Sequence, residues 1–257
     1  MPVQLDRDGH VAVVVMDRPE ARNAMDADLT AALDDTYDAL AADDDIWAVV
    51  LTGAGDRAFC AGRDLKQVVG GGTRGAPAAR RRGGFGGITT RDFPKPLIAA
   101  VNGYALGGGL EIVLSCDLAV AEEHAQLGLP EVRRGVVAAA GGLVRIGRRL
   151  PMPLALELAL TGEPVSARRA YELGLVNRVV PSGEGVAAAV ALAQKVCEAS
   201  PVAVRLSKQM VRRCVGQGED ELWDRQRELM AVLASSEDFR EGPLAFVEKR
   251  SPRWTGR

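Results

Sequence analysis

The sequence is poor in several things that usually announce a function. Aromatic side chains make up only 4% of its 257 residues, so a core of ordinary size has to be assembled from Ala, Val and Leu. Four cysteines, Cys60, Cys116, Cys197 and Cys214, are far apart, with no Cys-x-x-Cys pair and no histidine at metal-ligand spacing. That excludes a disulfide framework and a zinc site, and predicts buried single thiols in a reducing compartment. Neither histidine, His10 or His124, has a serine or aspartate in a triad-like setting, and both read as structural or surface residues. No apolar run approaches the roughly 20 residues that span a bilayer. The opening Met1-Pro2-Val3-Gln4 has neither a basic start nor an apolar signal core, which predicts a cytoplasmic protein. Charge of one sign is missing too: a formal net charge of −2 and a pI near 5.8 argue against nucleic acid as the main partner. The basic run Arg80 to Arg82 reads as a solvated loop.

What is present alternates. His10 to Asp17 predicts a strand with Val11, Val13 and Val15 on one face, and Pro19 ends it. Asp26 is placed to cap a helix in which Leu29, Leu33, Tyr37 and Leu40 form one apolar stripe. Ile46 to Thr52 is a near-continuous apolar strand, completing a parallel, right-handed βαβ unit. Leu97 to Val101 predicts another buried strand, followed by glycines, a helix over Gly109 to Cys116, and a strand over Asp117 to Ala121. This order points to an α/β layered core. The glycine- and arginine-rich stretch from Val69 to Gly87 has no period and reads as a lid that orders on ligand binding. Beyond Gly141 the pattern is helical, with segments at Pro153 to Leu160, Ser166 to Leu173, Val186 to Ser200, Val202 to Val215, Glu219 to Ser235 and Glu237 to Lys249. Such a tail must bury its apolar faces on its own core or on another subunit. No internal repeat is visible.

Two local arrangements carry chemical potential. Phe59-Cys60-Ala61-Gly62-Arg63-Asp64-Leu65 follows one strand, and Asn102-Gly103-Tyr104-Ala105-Leu106-Gly107-Gly108-Gly109-Leu110-Glu111 follows another. Both place glycines at the carboxyl end of a strand, where open α/β sheets bind ligands. Small residues let a ligand reach the backbone, and free N–H groups at a helix start hold an oxyanion. If a thioester is the substrate, two such donors and a helix N-terminus stabilise enolate charge on the carbonyl oxygen without a metal. Glu111 sits in the first turn of that helix, and Glu131, in Gly128-Leu129-Pro130-Glu131-Val132, is a second carboxylate held on a turn. Two carboxylates at one apolar site can divide acid and base work. The same residues also fit a tight strand-to-helix turn with an acidic first turn that favours the macrodipole. A competing motif, Gly53-Ala54-Gly55-Asp56-Arg57-Ala58, partly fits a dinucleotide fingerprint and would imply a nicotinamide-dependent reductase.

At these motifs the sequence resembles the enoyl-coenzyme A hydratase/isomerase family, the crotonases. The most specific pieces are F-C-A-G-R-D-L at 59–65, N-G-Y-A-L-G-G-G-L-E at 102–111 and G-L-P-E-V at 128–132. Arg18-Pro19-Glu20-Ala21-Arg22-Asn23-Ala24-Met25 looks like the family's early substrate-contacting loop, and Glu172 to Asn177 resembles its A-x-x-x-G-L-V-N stretch. The resemblance implies an α/β spiral of ββα units, ClpP-like, over residues 1–195, with a C-terminal helical region over 196–257 that builds trimers or hexamers. It implies an oxyanion hole from the backbone N–H groups of Arg63 and Gly108, with Ala21, Ala61, Arg63, Asp64, Leu65, Lys66 and Gly108 along the substrate. Phe246 and Lys249 would approach coenzyme A. The substrate would be an acyl-coenzyme A thioester, with no metal and no separate cofactor. Both glutamates are kept, which implies a hydratase: Glu131 delivering a proton to C2 and Glu111 activating water for C3. Carnitinyl-coenzyme A dehydratase, enoyl-coenzyme A isomerase and a non-catalytic RNA-binding role are the alternatives. The run Gly135 to Val144 departs from the proline and G-G-T-Q of many hydratases. Arg63 stands where many relatives have alanine.

Overall fold

A computed structural model describes residues 1–64 and 83–257. Ten strands form two sheets: a six-stranded sheet in the order β1-β2-β3-β5-β7-β10, and a four-stranded sheet in the order β4-β6-β8-β9. The large sheet contains β1 (Val3–Asp8), β2 (Val11–Met16), β3 (Ala48–Gly53), β5 (Leu97–Val101), β7 (Leu118–Glu122) and β10 (Arg178–Val180). The small one contains β4 (Ala58–Cys60), β6 (Tyr104–Leu106), β8 (Gln126–Gly128) and β9 (Val165–Ser166). The chain steps between sheets, β3 to β4, β5 to β6 and β7 to β8, each time moving one place along both. That repeated step is the spiral implied by the resemblance. It is a repeat of geometry, and the residues filling it do not repeat.

Strands β2, β3, β5 and β7 pair in parallel, and both faces of this sheet are covered, which is why their sequences are near-continuous apolar runs. On one face, Val11, Val13, Ala48, Val50, Ile98 and Ala100 pack against Ala189 and Ala193 of a long helix, α6 (Gly185–Cys197). On the other, Val14, Met16, Val49 and Leu51 meet α1 (Ala27–Ala42) through the predicted stripe of Leu29, Leu33, Tyr37 and Leu40. These four side chains are at most 1% exposed, and such burial stabilises by about 1.5–3 kcal/mol for each apolar side chain. Asp26 caps α1, accepting from the Leu29 N–H at 2.8 Å.

The remaining helices are α2 (Gly108–Val113), α3 (Gly142–Arg149), α4 (Met152–Thr161), α5 (Ala167–Glu172), α7 (Pro201–Arg213), α8 (Glu219–Ala234) and α9 (Glu237–Glu248). They agree with the sequence periods to within a few residues, except that α2 is shorter at both ends than its predicted span. Gly162, at φ 62°, ends α4 in the left-handed conformation that favours glycine. Among the described residues, no single helix is long and apolar enough to cross a membrane.

Several expectations need correction. The hairpin strand β1 was not read, because five of its six residues are exposed and polar positions dominate it. The thiols are not uniformly buried: Cys60 and Cys116 are, Cys197 is half-buried, and Cys214 is exposed. Most of the predicted 69–87 lid, and the Arg80–Arg82 run, lie outside the described residues. Its last part, Gly83 to Gly87, is packed on α1, where a Cβ on Gly87 would sit 2.7 Å from the Asp34 amide nitrogen.

Candidate active site

The carboxyl ends of β4 and β6 bring the glycine motifs together. Gly62, at φ 95°, faces β6 so closely that a Cβ there would lie 3.0 Å from the Leu106 carbonyl oxygen and 3.4 Å from the Gly108 nitrogen. Arg63 forms a parallel bridge with Met25, made by Met25 N–H to Gly62 O at 2.8 Å and Asp64 N–H to Met25 O at 3.0 Å. In this pairing the N–H of Arg63 itself points away from Met25. The N–H of Gly108, first residue of α2, has no intrahelical carbonyl partner by position. Neither glycine position tolerates bulk: a Cβ on Gly108 would sit 2.3 Å from the Phe85 ring.

The loop carrying Ala21 is tied to this edge. Ala61 N–H donates to Arg22 O at 3.1 Å, and Arg18 pairs with Asp26 at 2.9 Å and with Asp64 at 3.2 Å. Asn23, fully buried at φ 54°, donates to the carbonyls of Ala54 and Ala58 and accepts from the Arg18 N–H. The structure thus gathers Ala21, Ala61, Arg63, Asp64 and Gly108 at one edge; Leu65 and Lys66 lie outside the described residues. The Arg63 guanidinium lies over the Phe85 ring, 6.0 Å from its centroid, within cation–π reach.

Glu111 is buried in α2, with Oε1 accepting from two backbone donors, the Ala140 N–H at 2.7 Å and the Gly142 N–H at 2.8 Å. Glu131 stands on a 3-10 turn, Pro130–Arg134, opened by the proline as its position suggests. Its Oε1 lies 2.8 Å from where a Cβ on Gly107 would be, and its Oε2 is buried with no hydrogen-bond partner. Burial, and secondarily the charge of Glu111, push the Glu131 carboxyl above the usual glutamate range. Beside it opens a cavity of ≈ 350 Å³ whose walls include Leu129, Val137, Ile146, Met152, Leu156 and Leu160. Glu131 is the one ionisable side chain in that lining. The volume is at the low end for small-molecule sites, suited to part of a ligand.

The other candidates fall away. After Gly53-Ala54-Gly55 the chain enters β4 with no helix, and the carbonyls of that turn are taken by buried amides. Asn102 donates to Gly53 O at 2.7 Å and Gly55 O at 2.6 Å, so the dinucleotide reading is overturned. His10 stacks on Trp47, and His124 bonds Ser182 and the Asp56 carbonyl, both at the surface and both outside the site. Among the described residues no cluster of three or more His, Cys, Asp or Glu could hold a metal ion. Phe246 is 85% exposed on α9, away from any described site contact. Sequence reasoning missed Phe85, Ala140, Gly142 and Arg145. The Gly141-Gly142 pair was the available signal, since adjacent glycines before a helix mark a close backbone approach.

Paired sheets joined by a stepping chain, with glycine turns facing two buried glutamates, define a crotonase-type enzyme. The family model described as enoyl-CoA hydratase/isomerase matches residues 6–257, and the chain belongs to that family. A carnitinyl-CoA dehydratase of Proteus mirabilis is 38% identical over 254 residues, 97% of this chain and 96% of the other. A short-chain-enoyl-CoA hydratase of Clostridium acetobutylicum is 38% identical over 251 residues, 96% of this chain and 95% of the other. The crystal structure of enoyl-CoA hydratase EchA1 from Mycobacterium marinum superposes with a TM-score of 0.93 at 42% identity, covering 100% of this chain and 99% of that one.

Proposed function

We propose that this enzyme catalyses reversible syn addition of water across the 2,3 double bond of a 2-enoyl-CoA, giving a 3-hydroxyacyl-CoA. The observation that carries the reading is Glu131: a buried carboxyl with one unpartnered oxygen, held toward its protonated form, at the mouth of an apolar cavity and beside the Gly107–Gly108 turn. Such a group is suited to deliver a proton to C2. Glu111 has one oxygen committed to two backbone N–H groups, leaving the other to take a proton from the water that attacks C3. The N–H groups of Arg63 and Gly108 hold the thioester oxygen as enolate charge develops, the kind of interaction whose loss costs about 10²–10³-fold in rate. In the dehydration direction the two glutamates exchange roles. Coenzyme A enters as part of the substrate.

The cavity also bears on the acyl group. A carnitinyl substrate shares the chemistry and would place a quaternary ammonium here, which calls for an aromatic cage or an opposing charge. The lining has neither aromatic side chain nor carboxylate apart from the proton donor itself. Residues 65–82 carry no acidic and no aromatic residue, and five basic ones. This favours a hydrocarbon acyl chain. Exposed Val211, Trp223, Val232, Phe246 and Val247 support the reading that residues 196–257 associate with further copies, as a trimer or hexamer.

The test is loss of the enoyl thioester absorbance with crotonyl-CoA, hexenoyl-CoA and crotonobetainyl-CoA, for wild type and Glu131→Gln. The proposal expects turnover of the first two, little of the third, and collapse in the variant by about 10²–10⁴-fold. A wild type inert on all three, or a variant as fast as wild type, refutes it.

A further inference from the structure

Outside the two glutamates, the most unusual charged group near the site is Arg145 on α3. It is half-buried, and among the described residues it makes no salt bridge. Its guanidinium is engaged by two backbone carbonyls instead. Nη1 donates to Ala140 O at 3.2 Å and Nη2 to Thr89 O at 2.5 Å. Burial, followed by the like charges of Arg212 and Arg149, pushes its pKa below the usual arginine value, and the charge of Glu111 opposes that shift. A buried cation costs free energy unless it is well paired, so its placement calls for a reason.

The reason lies in what those two carbonyls belong to. The Ala140 peptide carries the N–H that donates to Glu111 Oε1 at 2.7 Å. Its own carbonyl is the one Arg145 holds, so the guanidinium fixes the orientation of the peptide that aims the carboxylate. Gly141 follows at φ 96°, and a Cβ there would sit 2.2 Å from Arg145 Nη1. The absent side chain is therefore the space through which the guanidinium reaches back. Gly142, the second donor to Glu111 at 2.8 Å, begins α3, and Arg145 N–H donates to Gly141 O at 3.0 Å within the same turn.

Thr89 belongs to the opposite wall. Its N–H bonds to Phe85 O at 3.4 Å, and Thr90 N–H to Gly83 O at 3.0 Å, closing the turn that presents the Phe85 ring to Gly108. One planar fork thus spans the segment covering Gly108 and the loop orienting Glu111. Lysine, with a single nitrogen on a flexible stem, cannot reproduce a fork that satisfies two carbonyls at fixed angles.

We propose that Arg145 is a positioning residue: by clamping the carbonyls of Ala140 and Thr89 it fixes the two N–H donors that hold the Glu111 carboxylate in place for water activation. The inference rests on the hydratase reading for its kinetic part only. Arg145→Lys and Arg145→Ala are compared with wild type for crotonyl-CoA turnover and for amide exchange at Ala140 and Gly142, with thermal melts to establish folding. The expected result is a fall in kcat of about 10²-fold with KM nearly unchanged, as befits a misplaced catalytic group. Lysine fails to restore the rate, and added guanidinium restores part of it to the alanine variant. Amide exchange at Ala140 and Gly142 quickens in both folded variants. A wild type without turnover speaks against the hydratase reading; the exchange measurement then still decides the clamp. Unchanged exchange at those two amides in folded Arg145→Lys overturns the proposal. So does a rate loss that lies wholly in KM, or one in the alanine variant that guanidinium does not relieve.

Discussion

Gly142 offers a perturbation in which catalysis and stability are expected to part company. Its nitrogen donates to Glu111, and a Cβ at this position would lie 2.9 Å from Glu111 Cγ, 3.0 Å from Oε1 and 3.3 Å from Cδ. Ordinary contact begins near 3.4 Å, so in Gly142→Ala the Glu111 side chain must retreat by at least about half an ångström. A misplacement of about 1 Å costs on the order of 10²-fold in rate, so half that distance corresponds to roughly 10-fold. Stability behaves differently. Alanine in a helix is favoured over glycine by up to about 1 kcal/mol, and a displaced rotamer costs about 0.5–1.5 kcal/mol, so the two nearly cancel. The prediction is a variant that melts and denatures like wild type yet turns over crotonyl-CoA about 10-fold more slowly. Stopped-flow absorbance gives the rate, and a denaturant titration on the same preparation gives the stability. A variant that keeps the full wild-type rate refutes the assignment of Glu111 as the positioned base. A rate loss that only accompanies a large loss of stability refutes the geometric argument.

Two further outcomes follow from the same site. Because burial raises the Glu131 carboxyl in the folded state, its contribution to stability is fully present below the unfolded glutamate value of about 4.3 and is lost as pH rises through the folded one. Wild type should therefore lose stability relative to Glu131→Gln over that rise and then hold a constant gap, in denaturant midpoints measured across pH; a gap independent of pH contradicts the burial argument. Asn23→Ala removes the groups that satisfy Ala54 O, Ala58 O and the Arg18 N–H, and puts alanine at a positive φ. Stranded buried polar groups cost about 1–3 kcal/mol each, so a loss of about 3 kcal/mol or more is expected, with Asn23→Gly recovering only the backbone part, about 1 kcal/mol. Equal stability of wild type and Asn23→Ala by denaturation would contradict this.

The sequence by itself determined whatever depends on neighbours along the chain. The stripe Leu29, Leu33, Tyr37 and Leu40, with the Asp26 cap, specified α1, because helix periodicity and capping act within a few residues. The helices from Pro201 onward were legible for the same reason, and the buried strands of the large sheet announced themselves as apolar runs. The two glutamates and the glycine turns were visible as motifs, though spacing alone left them open to a plain structural reading. Tertiary structure decided the rest. The strands β4, β6 and β8 are three residues each, too short for a period of two to register, and only pairing with one another makes them strands. The contacts that give Glu111 its orientation come from 29 and 31 residues downstream, across a loop whose own sequence carries no polar side chain between Val136 and Val144. The Gly53 turn looked like a phosphate cradle until Asn23 and Asn102 were seen to occupy its carbonyls. In each case the deciding partner is distant in the chain and bonds through the backbone, which every residue shares. Local pattern names the carboxylates; the packed fold supplies the donors and the dry wall that set them to different tasks.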